Sequence, residues 1–260
     1  MSAISPVADP AAGVVLVGHG PHKVLCLHGW FGSAQGWGGW PALLDGERFT
    51  YAFLDYRGYG ARKAVKGEHT FDEIAADALA VADALGFERF SLIGHSMGGA
   101  AAARVLSLAP DRVQKLVGLA PVAASGVPFD AAGYAWFASA TEDLGARRGI
   151  LDLTTGNRLT GTWLDQMVAH SVAHSTPEAF AGCFVAWAKG GFAEAVQGLA
   201  TPTLVVVGAH DPAIGADYVA QTWSLQLPGT QVEVMANAGH YPMFETPIAL
   251  ATVVEKFLSA

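Results

Sequence analysis

The residues best placed to do chemistry are Gly94-His95-Ser96-Met97-Gly98, followed at once by Gly99. An apolar run at 90–93 precedes them and an alanine-rich run at 99–106 follows, so Ser96 is expected on a sharp turn between a buried strand and a helix. Such a turn strains the serine backbone and pushes its hydroxyl out of the fold. Glycine suits the flanking positions because a side chain there would strike the neighbouring strand and helix. The competing reading, a tight turn with a chance serine, leaves the strand–turn–helix context unexplained.

A serine hydroxyl is a weak nucleophile and needs a general base. His240 suits that role, in Asn237-Ala238-Gly239-His240-Tyr241-Pro242, beyond a late strand. A base histidine needs a carboxylate to hold its tautomer and stabilise its cation. Asp211, in Gly208-Ala209-His210-Asp211-Pro212, follows the strand before that one; Asp217 and Glu245 are the alternative acids. Two backbone N–H groups are candidates for an oxyanion hole, Met97 directly after the nucleophile and Trp30 in the loop His28-Gly29-Trp30. His28 is expected to shape that loop by hydrogen bonding, and His95 and His210 to be structural or lining. His170 and His174 have i, i+4 spacing, but residue 171 is serine where a zinc-protease helix carries glutamate, so no metal is expected.

The elements that must position these groups alternate between strand and helix. Strand-like runs lie at 13–17, 23–27, 51–54, 90–93, 113–119, 203–207 and 231–234, and turn residues at 18–21 predict a hairpin between the first two. Thr70-Phe71-Asp72-Glu73 has capping-box spacing and opens a helix with Phe71, Ile74, Ala78, Ala82 and Leu85 on one stripe. Residues 217–227 read as a helix, and Pro247 opens the last one, with Ile248, Val253 and Phe257 among its buried positions. The pattern is α/β: a mostly parallel central sheet with helices on both faces. No clear strand falls between 119 and 203. Residues 122–190 therefore form a helical cap insertion, and 1–121 with 191–260 form the core. Trp136, Phe137, Trp163, Phe184 and Trp187 are its candidates for lining a substrate pocket, or for holding the cap together. Asp55 and Arg57 read as loop-stabilising.

With 260 residues, 52% of them hydrophobic, the chain can build one large core with an inserted subdomain. A net charge of −8 without a basic face argues against a nucleic-acid partner. Residues 1–13 lack the charged and apolar regions of a secretory leader, no run is long enough to span a bilayer, and two cysteines give no disulfide framework. The expectation is a cytoplasmic protein, monomer or homodimer, without membrane or nucleic-acid partner, acting on a small molecule.

Taken in order, His28-Gly29, Asp55-Tyr56-Arg57-Gly58-Tyr59-Gly60, residues 94–99, Asp211 and Gly239-His240 resemble the α/β-hydrolase superfamily, in its esterase-like branch with a helical cap. The resemblance runs from near residue 24 to the C-terminus. One departure is Ala61, where relatives often carry serine. The resemblance implies a Ser–Asp–His triad, no cofactor, and cleavage of small to medium carboxylic esters through an acyl-enzyme. The same motifs serve carbon–carbon hydrolases, lactonases, perhydrolases and hydroxynitrile lyases. Outside enzymes, they serve triad-bearing ligand receptors with slow turnover. Serine at the elbow disfavours relatives with an aspartate nucleophile.

Overall fold

The structure, a computed structural model, describes residues 9–260, so part of the 1–13 stretch lies outside the described residues. Seven strands form one sheet: β1 (Val14–Gly18), β2 (His22–Leu27), β3 (Phe49–Leu54), β4 (Phe90–His95), β5 (Val113–Leu119), β6 (Thr203–Gly208) and β7 (Gln231–Met235). Their order is β1-β3-β2-β4-β5-β6-β7, and β1 alone runs antiparallel to its neighbour. Strands β3, β4 and β6 are buried at every residue, as a sheet covered on both faces requires.

The expected hairpin does not form. β1 pairs with β3, and β2 lies on the other side of β3. The intervening turn crosses the start of β3, where Gly20 N donates to the Phe49 carbonyl and His19 N to that of Gly46. A Cβ on Gly20 would stand 2.1 Å from the Arg48 carbonyl carbon, so the glycine serves a backbone crossing. β2 has no free edge for a hairpin partner, because β3 and β4 occupy both.

Helix α1 (Phe71–Ala84) starts at Thr70, whose hydroxyl accepts from Glu73 N. The Glu73 carboxylate reaches back beyond the N-cap, to the N–H groups of Glu68 and His69. α2 (Met97–Leu108) lies on β4 and β5, and its buried Ala100, Ala101, Ala102 and Ala103 permit close approach. Between β5 and β6 come α3 (Ala131–Ser139), α4 (Leu144–Thr154), α5 (Gly161–His174), α6 (Pro177–Lys189) and α7 (Ala193–Val196). The first four start at side-chain caps: Asp130, Asp143, Thr160 and Thr176. This is the helical insertion expected of the cap.

The remaining helices are α8 (Ala216–Gln221), α9 (Trp223–Gln226), α10 (Pro242–Glu245) and α11 (Pro247–Ser259). The single helix expected at 217–227 is broken at Thr222, which leaves helical geometry at φ −130° and ψ −82°. Ile248 is 71% exposed, not buried. The core-facing stripe of α11 is Leu250, Ala251, Val254, Phe257 and Leu258, and Ile248 lies roughly 120° round the helix from its centre. No helix among the described residues is long and apolar enough to cross a membrane.

Candidate active site

Every group in the site hangs from the carboxyl end of a strand. Ser96 follows β4 at φ 54° and ψ −119°, a left-handed conformation that L side chains rarely adopt. The surroundings enforce it. Ser96 N donates to the Leu119 carbonyl, while its own carbonyl accepts from Gly99 N and Val122 N. A Cβ on Gly94 would meet the Gly98 oxygen at 2.2 Å, and one on Gly98 would meet the Leu27 oxygen at 2.1 Å. Both glycines therefore allow strand and helix to touch, and the serine between them absorbs the strain.

The Ser96 hydroxyl stands 2.8 Å from His240 Nε2. On the other side of the ring, His240 Nδ1 is 2.5 Å from Asp211 Oδ2. Asp211 is the more buried partner, and its second oxygen accepts from Ala213 N at 2.9 Å and Ile214 N at 3.0 Å. Three donors thus hold the carboxylate in one orientation. Nδ1 must carry a proton to bond a carboxylate, which leaves Nε2 as an acceptor facing the serine.

Two backbone donors lie close by. Met97 opens α2, and the first N–H groups of a helix have no intrahelical acceptor. Gly29 brings the loop holding Trp30 against the serine: a Cβ there would stand 3.2 Å from Ser96 Cβ. Behind the loop, His28 Nδ1 donates to the Gly29 carbonyl and its ring stacks on Tyr56 at 4.0 Å. Burial lowers the His28 pKa to about 4. His95 is also held neutral by burial, and its Nε2 donates to the His240 carbonyl at 2.8 Å. His210 is exposed. Asp55 stabilises loops by accepting from Ala34 N and Ala61 N, while Arg57 pairs with Asp77.

Ser96 and His240 open into a cavity of about 120 Å³. The cap contributes Val127, Phe129, Phe137, Ile150, Leu153 and Trp187 to its wall, and no lysine or arginine among the described residues lines it. Of the five cap aromatics read from the sequence, Phe137 and Trp187 line this cavity. Phe184 stacks behind them against Trp30, Trp136 lies at the surface, and Trp163 lines a neighbouring cavity with Met167, His170 and Phe244. In the cap, sequence reasoning missed Phe129 and the aliphatic wall residues; in the core it missed three large side chains, Phe31, Ile214 and Tyr241, which also line the wall. All three sit within three residues of Trp30, Asp211 or His240, and that adjacency was the available signal.

A strained serine is thus joined through an imidazole to a buried aspartate, all beyond strand ends of a mostly parallel sheet. The family model for the alpha/beta hydrolase fold matches residues 23–247. The chain belongs to that family. As a hydrolytic enzyme of the α/β-hydrolase superfamily it has diverse relatives. It is 28% identical over 214 residues to 2-hydroxymuconate semialdehyde hydrolase of Pseudomonas putida, covering 78% of this chain and 73% of that one. It is 24% identical over 257 residues to esterase YbfF of Escherichia coli, covering 93% and 94%. Among solved structures, an esterase from Exiguobacterium antarcticum superposes with a TM-score of 0.85 at 19% identity, over 95% of each chain. At that identity the likeness is one of fold.

Proposed function

We propose that this hydrolase cleaves small carboxylic esters through an acyl-enzyme. The observation that carries the reading is the hydrogen-bonded line Ser96–His240–Asp211 opening into a mainly apolar cavity. Ser96 Oγ attacks the ester carbonyl as His240 Nε2 takes its proton. Asp211 stabilises the resulting imidazolium through Nδ1–H. The N–H groups of Trp30 and Met97 receive the oxyanion, each worth about 3 kcal/mol by analogy with a comparable hydrolase. The tetrahedral adduct collapses, His240 gives its proton to the leaving alkoxide, and the alcohol departs. Water then attacks the acyl-enzyme, with His240 as base, and releases the acid.

The cavity supports a short, neutral acyl group. An apolar cavity of about 150 Å³ holds one benzene molecule, so this one suits a chain of a few carbons. With no lysine or arginine in its wall among the described residues, it offers no fixed cation to an anionic chain. The same reading takes 122–190 as a cap over a core of 1–121 and 191–260, with the cap setting chain length.

The test is a p-nitrophenyl ester series of graded length, with fluorophosphonate labelling. Acetate to butyrate esters should turn over fastest, and the protein should carry one label. Ser96→Ala should lose the label and nearly all turnover while keeping its melting temperature. Full turnover in that variant would refute the nucleophile; labelling without turnover of any ester would refute the substrate class.

A further inference from the structure

Glu245, one of the two alternative acids read from the sequence, does not touch the His240 ring nitrogens. It lies against the backbone on both sides of His240. One carboxylate oxygen accepts from Gly239 N at 2.8 Å, and the other from Tyr241 N at 3.1 Å. The carboxylate is 2% exposed and pairs at 3.0 Å with Arg158, between α4 and α5. Arg158 also donates to the Asn237 carbonyl at 3.3 Å. The end of α4 makes a third attachment: His240 N donates to the Thr154 carbonyl at 3.0 Å. Gly239 permits that approach, since a Cβ there would stand 2.7 Å from Thr155 Cα.

We propose that Glu245 and Arg158 are positioning residues for His240, forming a clamp through which the cap holds the imidazole in line between Ser96 and Asp211. The proposal rests on His240 being the general base. The loop contains Gly239 and has no regular structure of its own, so its position depends on what its N–H and carbonyl groups bond. Glu245 satisfies two of them, and Arg158 balances the buried negative charge while holding a third. Without the pair, His240 keeps the bonds of its own N–H and carbonyl to Thr154 and His95, but the loop on either side loosens and the imidazole sits less firmly against Ser96. Displacements of about 1 Å far from the reacting atoms can cost a hundredfold in rate.

The variants are Arg158→Ala, Arg158→Lys and Glu245→Gln. Arg158 is a third exposed, so its removal leaves a folded protein to measure. On a short p-nitrophenyl ester, Arg158→Ala and Glu245→Gln should lower kcat about tenfold to a hundredfold, with KM within about twofold. Arg158→Lys should recover part of kcat, because an ammonium can pair with Glu245 but lacks the guanidinium fork that also reaches Asn237. Independently of turnover, the downfield proton resonance of His240 Nδ1–H should broaden in Arg158→Ala. Wild-type kcat and an unchanged resonance in Arg158→Ala would overturn the clamp, even with a lowered melting temperature. So would a loss in kcat that lysine does not relieve at all. If the unaltered protein hydrolysed no ester, the substrate class would fail, and the resonance would still decide the clamp.

Discussion

At Asp211 both carboxylate oxygens are in use, one on the imidazole and one on two backbone N–H groups. That division determines what an isosteric change does. In Asp211→Asn, an amide nitrogen facing His240 cannot accept from Nδ1–H, so the imidazole moves its proton to Nε2. It then faces Ser96 as a donor and cannot act as base. Steady-state kinetics should show kcat lowered about 10⁴-fold, the size of the corresponding change in a trypsin-type triad. Near-normal kcat would refute Asp211 as the acid. Elsewhere, burial drives the Cys183 thiol up to about 12, and Cys26 rises likewise. Both cysteines are free and neither is poised to react.

Among the elements, α6 ties the cap to the oxyanion loop. Phe180, Cys183, Phe184 and Trp187 recur at i, i+3, i+4 and i+7 and are all buried, so one face of the helix meets the core. Trp30 lies flat on Phe180 at 4.0 Å, and its indole N–H donates to the Phe180 carbonyl at 2.7 Å. The side chain behind the candidate oxyanion donor is therefore held by the cap. Phe180→Ala should lower stability by about 3–5 kcal/mol, as for other fully buried aromatics, read from urea unfolding. It should also lower kcat, because the Trp30 ring loses the surface it rests on. A loss under 1 kcal/mol would mean that the site collapses freely and α6 is not a rigid support.

Over the whole molecule, several histidines are wholly or half buried, and burial disfavours their charged form. Burial lowers His28 and His170 to about 4, and lowers His95, His22 and His69 as well. In the unfolded chain these groups take up protons near pH 6.5, whereas in the folded chain they resist until lower pH. Between about pH 4 and 6.5 the unfolded state binds more protons, so stability rises with pH across that window and falls on acidification. His28 alone removes about 2 kcal/mol by pH 5. Urea midpoints should therefore drop between pH 7 and pH 5, and a flat profile would contradict the neutral burial of these rings.

What could be read from the sequence was local or ordered along the chain. Thr70 caps its helix because a side-chain oxygen reaches the N–H group three residues on, wherever the helix later packs. The elbow at Ser96 is local in part: Gly94 answers to the turn that follows it, whereas Gly98 answers to the carbonyl of Leu27 on a distant strand. The meeting of Ser96, Asp211 and His240 was legible too, because strands in a parallel sheet present their following loops at one end. Long-range pairing was not. The turn at 18–21 suits a hairpin as well as it suits a crossing, and only competition for the edges of β2 sends β1 to β3. Aromatic spacing in the cap marks what is buried, not which ring faces a cavity. Phe137 and Trp187 came to line it, and Trp163 a different one, through the packing of whole helices. Glu245 shows the same limit. Its place beside His240 in sequence made it an alternative acid; its bonds to Gly239 and Tyr241 are local, but the ion pair with Arg158 exists only once the cap has folded over that loop.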